Sequence, residues 1–439
     1  MPSPYTSKDA ENIIFARRRR SSSGFDVAGV RLLCYDFLQL AEHGPSRKQE
    51  NSQMPEPAKE DTPQIALLVA GDCGPVHGPR DGFPIERYSE LVRPILAQAD
   101  LRFANCMRQY SARGTYSDGE RGSNWPSAAH SRLPPEMAQI FSDCGFDAVT
   151  IANNHMYDFG PEALLDTRQL LLDKGLKVTG AGRNLAEARQ PAIVERNGIR
   201  VGYLGYCSVI PKGGEAGPDK PGITPLRVKT DFETRGPHAP VRIRTEPDER
   251  DLKMLTDDIA ALRDQADIVI PALHYGVIRI PRVISDYQVA VAHACIDAGA
   301  DMVVGHGAHI PKAIEVYKGK AIFYSLSVFC MTKPTPSAAW KEAPWVHGTV
   351  RNHTDLDPDY PLMPYGRDSK WTLLAKAILA KDGIKRVSFL PMMFDKQYRP
   401  EVLRGGDPRF RDMLRYMEWT SEGFDHEFTI DDDEVIVTG

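Results

Sequence analysis

Short apolar runs that each end on a polar, ligand-type side chain recur along this chain, and no other feature constrains its fold as tightly. Ile65–Ala70 leads into Gly71-Asp72, and Ala99–Ala104 leads into Asn105. Asp147–Ala152 leads into Asn153-Asn154-His155, Ile268–Leu273 into His274, and Asp301–Val304 into Gly305-His306, with His309 three residues on. Runs this short, bounded by turn residues, read as buried strands. When several strands end on such side chains, the side chains converge at one edge, where open α/β folds place their sites. Asp, Asn and His are hard and borderline donors, the set that holds divalent metal ions. Each residue also has a plainer reading. Gly71-Asp72 can be a simple turn, Asn154-His155 a cap for the helix that follows, and His274 a satisfied core histidine. His306 and His309, around Gly307-Ala308, can belong to an ordinary loop. Packing alone explains the recurrence at five strand ends poorly.

Between these runs lie segments with helical spacing: Ile85–Gln98 with a kink expected at Pro94, Pro135–Cys144, Pro161–Lys174, Asp251–Gln265, Tyr287–Ala298 and Asp407–Trp419. Turn residues predict hairpins at Asn197-Gly198, Lys318-Gly319 and Asp382-Gly383, and Glu434–Val437 reads as a last strand. No repeat or composition break interrupts Gln64 to Val437. Residues 63–439 are therefore expected to form one domain of mixed strands and helices, α+β or α/β, with long loops at 108–135, 208–247 and 331–370. Residues 1–62 differ. They hold the run Arg17–Arg20, then Ser21–Ser23, and a stretch rich in Pro, Glu and Lys, with one short amphipathic segment at Val30–Leu40. They read as a disordered or weakly ordered extension.

A hydrophobic content of 42% supports a sizeable core, and a net charge of −5 offers no general attraction to nucleic acid or anionic membranes. That argues against nucleic acid as a partner, since the arginine run stands alone in an acidic chain. The seven cysteines are scattered without a C-x-x-C pair, so they suggest reduced thiols rather than a disulfide framework or a thiolate zinc site. No stretch approaches the ~18 consecutive apolar residues that span a bilayer. Ile13–Ala16 is too short for a signal-peptide core and precedes the arginines. A cytoplasmic chain without a membrane span is expected, and the sequence carries no signal of oligomeric state.

The segment Gly145–His155, with Asp158 and Gly160, resembles the central motif of the CapA-like capsule (poly-γ-glutamate) synthesis family, within the calcineurin-like phosphoesterase superfamily. Further blocks follow in order across roughly residues 65–400. They are Ala70-Gly71-Asp72, Ala99-Asp100-Leu101 with Asn105, Gly180-Ala181-Gly182 with Ala186 and Ala188, and His274-Tyr275-Gly276. Gly299-Ala300-Asp301, Val304-Gly305-His306 to His309, Glu315 and Tyr324-Ser325-Leu326 complete the series. The resemblance implies a two-layer β-sandwich flanked by helices, with one or two divalent metal ions at one strand edge. It makes Asp72 the bridging carboxylate and Asn154 a ligand, with Asn105, His274, His306 and His309 around the metal. It makes His155 an acid or electrostatic helper, oriented by Asp158. The activity implied is metal-dependent hydrolysis of a phosphoester or amide in a small or polymeric anionic substrate. Arg108, Arg113, Arg121 and Arg279, in or near the loops of the expected site, can grip such an anion or can equally be solvated loop charges. The alternative implied is a non-catalytic accessory role in polymer synthesis.

Four positions depart from the family pattern. Asn105-Cys106-Met107 lacks an acidic residue, Ile278 stands where a Glu is common, Gly307-Ala308-His309 lacks the first of two histidines, and Ser325–Phe329 is altered. Two of these changes remove carboxylates. The site is therefore expected to favour Mn, Fe or Zn over Mg or Ca. Cys106 offers a thiolate in principle, although a buried inert cysteine is the commoner case.

Overall fold

The strand Gln64–Cys73 is buried almost end to end, so both of its faces are covered. Leu67 and Val69 pack into one core with Leu101 and Phe103, while Leu68 and Ala70 pack into a second with Ala104. A strand that is apolar on both faces belongs to a sheet covered on both sides. The computed structural model describes residues 63–75, 84–116, 132–234, 236–238, 241–331, 357–360 and 366–439. The expected extension 1–62, with its arginine run and the Val30–Leu40 segment, lies outside the described residues, as does most of the 331–370 stretch.

Ten strands make the first sheet. Its main path runs Glu427–Asp431, Glu434–Thr438, Gly383–Phe394, Trp371–Ala380, Gln64–Cys73, Leu101–Cys106, Ala148–Thr150 and Lys177–Thr179. Val328–Cys330 pairs beside Gln64–Cys73, and Pro400–Val402 pairs beside Gly383–Phe394. Six strands make the second, in the order Ile314–Tyr317, Lys320–Phe323, Val303–His306, Ile268–His274, Ile199–Cys207 and Ala192–Arg196. The two sheets pack face to face. Leu67, Val69 and Phe103 meet Val201, Tyr203, Ile270 and Val304, and the Phe103 and Tyr203 rings stack at 4.3 Å. Each of these fully buried side chains contributes about 1.5–3 kcal/mol over exposure.

Helices cover the outer faces. Leu164 and Leu171 of the helix Gly160–Asp173 pack on the first sheet. Leu255, Ile259 and Leu262 of Glu249–Arg263, with Val291 and Cys295 of Asp286–Asp297, pack on the second. Asp248 caps the first of these two helices, and a Ser285–Gln288 capping box starts the second. The architecture is the mixed one expected, a two-layer β-sandwich flanked by helices.

Three local expectations are corrected. The helix expected over Ile85–Gln98 is a 3-10 turn, Ile85–Tyr88, and a single α-turn, Arg93–Leu96. Pro94 sits in the first turn of the latter, where its missing N–H costs nothing, so it starts a helix and does not kink one. The helix expected over Pro135–Cys144 divides into the 3-10 turn Pro135–Ala138 and the short helix Gln139–Asp143. Part of the loop expected at 208–247 is a hairpin, Val228–Glu233 against Arg242–Pro247. Its strands carry charges opposite one another, Asp231 facing Arg244 and Glu233 facing Arg242, so no apolar run announces them. None of the described helices is long and apolar enough to cross a membrane.

Candidate metal centre

Strand register puts the polar strand ends side by side. Asp72 pairs with Asn105 across adjacent strands of the first sheet, and His274 pairs with His306 across adjacent strands of the second. The turn after Ala148–Thr150 supplies Asn153, Asn154 and His155. Hydrogen bonds join these groups across the two sheets. The Asn105 amide donates to Asp72 Oδ1 at 2.8 Å and lies 3.3 Å from His274 Nδ1. His274 Nε2 meets Asn154 Oδ1 at 3.0 Å. His306 Nδ1 stands 3.6 Å from Asp72 Oδ1, and His309 Nε2 stands 3.9 Å from Asp72 Oδ2. His155 Nδ1 and Asp158 Oδ2 are 2.7 Å apart. Asp72, Asn105, Asn154, His274, His306 and His309 thus share one neighbourhood, and His155 and Asp158 form a pair at its margin.

A glycine makes room for it. Gly307 has φ +97, and a Cβ there would stand 2.8 Å from His274 Nε2. Only glycine takes this backbone and this approach without strain.

The sequence reading passed over Asn153. This fully buried side chain donates to Asn105 Oδ1 at 3.1 Å and to the Cys106 carbonyl at 2.8 Å, and it accepts from the His155 backbone N–H at 3.1 Å. It fixes the amide orientation of Asn105 and the start of the His155 turn together. Its only sequence signal was adjacency to Asn154.

A family model described as bacterial capsule synthesis protein PGA_cap matches residues 66–332, more than half of the chain. The chain belongs to that family. Among its relatives is the PGA biosynthesis protein CapA of Bacillus subtilis, 28% identical over 241 residues, 55% of each chain. Another is a "probable polyglutamine synthesis accessory protein" of Mycobacterium tuberculosis, 33% identical over 216 residues, 47% of this chain and 50% of that one. The chain spans about half the length of the curated relatives it matches. The calcineurin-like phosphoesterase YfkN of Bacillus subtilis aligns over 74% of this chain and 88% of its own, at 14% identity and a TM-score of 0.35. At that score the architecture rests on the sheet order and registers given above.

Within this PGA_cap member, burial dominates the electrostatics. It pushes the Asp72 carboxyl up to about 7, against the opposing effects of the Asn105 hydrogen bond, the Gly307 backbone and Arg108. It also drives His306 down to about 3 and His274 well below the usual imidazole range, with His306 and His155 reinforcing the effect on His274. Neutral imidazoles are the form that binds metal. Among the described residues, Asp72 Oδ2 and both ring nitrogens of His306 are buried without hydrogen-bond partners, which is unusual for native polar groups. Among the described residues, no three His, Cys, Asp or Glu side chains stand at the spacing of a formed coordination shell. The donors are instead closed on one another, through Asn105–Asp72 and Asn154–His274.

The departures from the family pattern sort themselves by place. Met107 is buried with Val328, Met331, Tyr360 and Phe394, its sulfur 3.6 Å from the Asn105 amide. Ile278 is 42% exposed. Cys106 lies in register with Cys73, which is in register with Cys330, and all three thiols belong to the apolar core under the first sheet. Burial pushes the Cys106 thiol well above its ordinary range, so it supplies no thiolate.

Proposed function

We propose that the chain is a metal-dependent hydrolase acting on a phosphoester or amide bond in an anionic substrate. One observation carries the reading. Two sheets and the turn beside them bring Asp72, Asn105, Asn154, His274 and His306 into one largely buried cluster, where, among the described residues, Asp72 Oδ2 and both His306 nitrogens have no hydrogen-bond partner. Such orphaned buried groups cost roughly 1–3 kcal/mol each unless a bound group satisfies them. The donor types suit a divalent ion, with Mn, Fe or Zn favoured by the single carboxylate among them. Asp72, Asn105, Asn154, His274, His306 and His309 would hold it. What a divalent ion supplies when bound is a lowered pKa for coordinated water and charge compensation at the attacked group.

The chain's own groups do the rest. Asn153 and Asn105 fix the amides that orient Asp72 and His274. Asp158 holds the ring of His155, a half-buried histidine placed to donate a proton to a leaving oxygen. Metal analysis of purified protein, repeated on Asp72→Ala and His274→Ala, tests the reading alongside turnover of a phosphoester and amide panel. Metal near zero in the parent chain would end it.

A second reading is a non-catalytic accessory protein of polymer synthesis. The name of the Mycobacterium tuberculosis relative favours it, as do the non-acidic side chains at Met107 and Ile278. It calls for stabilisation by oligoglutamate without turnover. Turnover that His155→Ala abolishes would exclude it.

A further inference from the structure

Of the four arginines that the sequence offers as anion grips, the structure separates one. Arg113 already holds a carboxylate: its Nε donates to Asp166 Oδ2 at 2.9 Å and its Nη2 to Asp166 Oδ1. Arg279 is engaged through its backbone N–H with the Ala308 carbonyl and has partners of its own. Arg121 lies outside the described residues. Arg108 differs from all of these. It is 1% exposed, and among the described residues its Nε has no hydrogen-bond partner. Among the described residues, its Nη2 reaches the sulfur of Met331, at 3.4 Å.

Nε and Nη2 form the edge with which Arg113 grips both oxygens of Asp166. In Arg108 that same edge faces a thioether, a weak acceptor. Guanidinium does not shed its proton in proteins, so among the described residues this is a buried cation hydrogen-bonded to no carboxylate, which costs several kcal/mol unless compensated. The chain nevertheless makes space for it. A Cβ on Gly74 would stand 2.6 Å from Arg108 Cγ. The arginine follows Asn105 by three residues, at the end of the strand Leu101–Cys106, and its charge bears on Asp72.

We propose that Arg108 is the anchor for an anionic oxygen group, a phosphate or a carboxylate, that the substrate presents beside Asp72 and Asn105. The incoming oxygens replace the Met331 sulfur at Nη2 and engage Nε, giving the two-point geometry already built at Arg113. The inference deepens the hydrolase reading and rests on it for the neighbouring chemistry. Arg108 is a positioning residue, and its loss leaves the metal ligands in place.

The test titrates the full chain with inorganic phosphate and, separately, with glutarate, following heat of binding and thermal stabilisation. One of the two anions is expected to bind, which identifies the group recognised. Arg108→Met should weaken that binding by ~10–100-fold, the range for a charge-assisted hydrogen bond. Arg108→Lys keeps the charge and the fold but not the fork, and should weaken it by ~10-fold. Metal content should match the parent chain in both variants. The proposal is overturned if neither anion binds the parent chain, or if both variants bind as tightly as it does. A parent chain that is metal-free yet binds the anion through Arg108 keeps this inference and loses the hydrolase reading. A metal-bearing chain whose anion binding ignores position 108 does the reverse.

Discussion

Two clusters combine histidine with an acidic side chain, one on the outer face of the second sheet and one at the strand ends of both sheets, and they behave oppositely. On the outer face, both Glu315 carboxyl oxygens are used: Oε1 meets His293 Nε2 at 3.0 Å and Oε2 accepts from Tyr324 OH at 2.7 Å. The His293 ring also stacks on Tyr317 at 3.7 Å. At the strand ends, Asp72 Oδ2 and both nitrogens of His306 have no hydrogen-bond partner among the described residues, and His306 and Asp72 stand 3.6 Å apart. Residue type does not distinguish these clusters, since both combine an acid with imidazole. Satisfaction does. A closed network stabilises the fold, whereas an open one stores binding capacity at the expense of stability.

Substitution should break this comparison most sharply at the open cluster. Asp72→Ala is expected to reduce bound metal from near-stoichiometric to background and turnover by ~10³-fold or more, as elemental analysis and kinetics would show. The metal-stripped protein should melt no lower, because the change removes a buried carboxylate that lacks full compensation. A lower Tm for stripped Asp72→Ala would mean that the cluster is structural after all. The closed cluster should respond in mirror image. Glu315→Ala loses one buried and one part-buried hydrogen bond and is expected to cost about 3 kcal/mol in denaturant unfolding. Its metal content should equal that of the parent chain, and metal loss on Glu315→Ala would merge the two regions into one functional unit.

Much of the open cluster was legible in the sequence, because strand ends are marked by apolar runs that stop at polar residues. Asp72, Asn105, His274 and His306 were found this way, and register then placed them in adjacent pairs. Asn153 was not, since an amide that bridges Asn105 to the His155 turn leaves no periodic trace. Nor could spacing reveal that Cys106, Cys73 and Cys330 stand in one row, because Cys330 is far along the chain and only sheet order brings it near. The hairpin Val228–Pro247 escaped for the opposite reason. Its exposed strands are held by cross-strand pairing and carry no apolar signal, with Phe232 opposite Ile243 at 72% and 59% exposure.

Backbone geometry offers a finer probe of the open cluster. Gly307→Ala places a methyl group against His274 Nε2 at a position with φ +97. The expected cost is about 1–3 kcal/mol. Metal affinity should fall with stability, because the ring that moves is a proposed ligand. Equal stability and affinity in the variant would show that the loop has slack and that Gly307 is incidental.

The smallest expected effect lies on the segment between the two clusters. Lys312, 1% exposed, donates to the carbonyls of Ile280 and Val283 at 2.7 Å each, tying the 276–285 segment to the chain between His309 and Glu315. Burial lowers its amine to about 7. The unfolded chain, with an ordinary lysine near 10.5, holds one more proton than the folded chain between these values. Stability from this group is therefore lowest below pH 7 and rises as pH climbs from 7 towards 10. Between pH 6.5 and 8 the gain is about 1 kcal/mol. Lys312→Met removes the titration, so the stability difference between parent and variant should widen in the parent's favour across that interval. Parallel unfolding curves at both pH values would show that the amine keeps its proton in the fold. The two carbonyls would then compensate the buried charge, and Lys312 would belong with the closed, satisfied cluster rather than the open one.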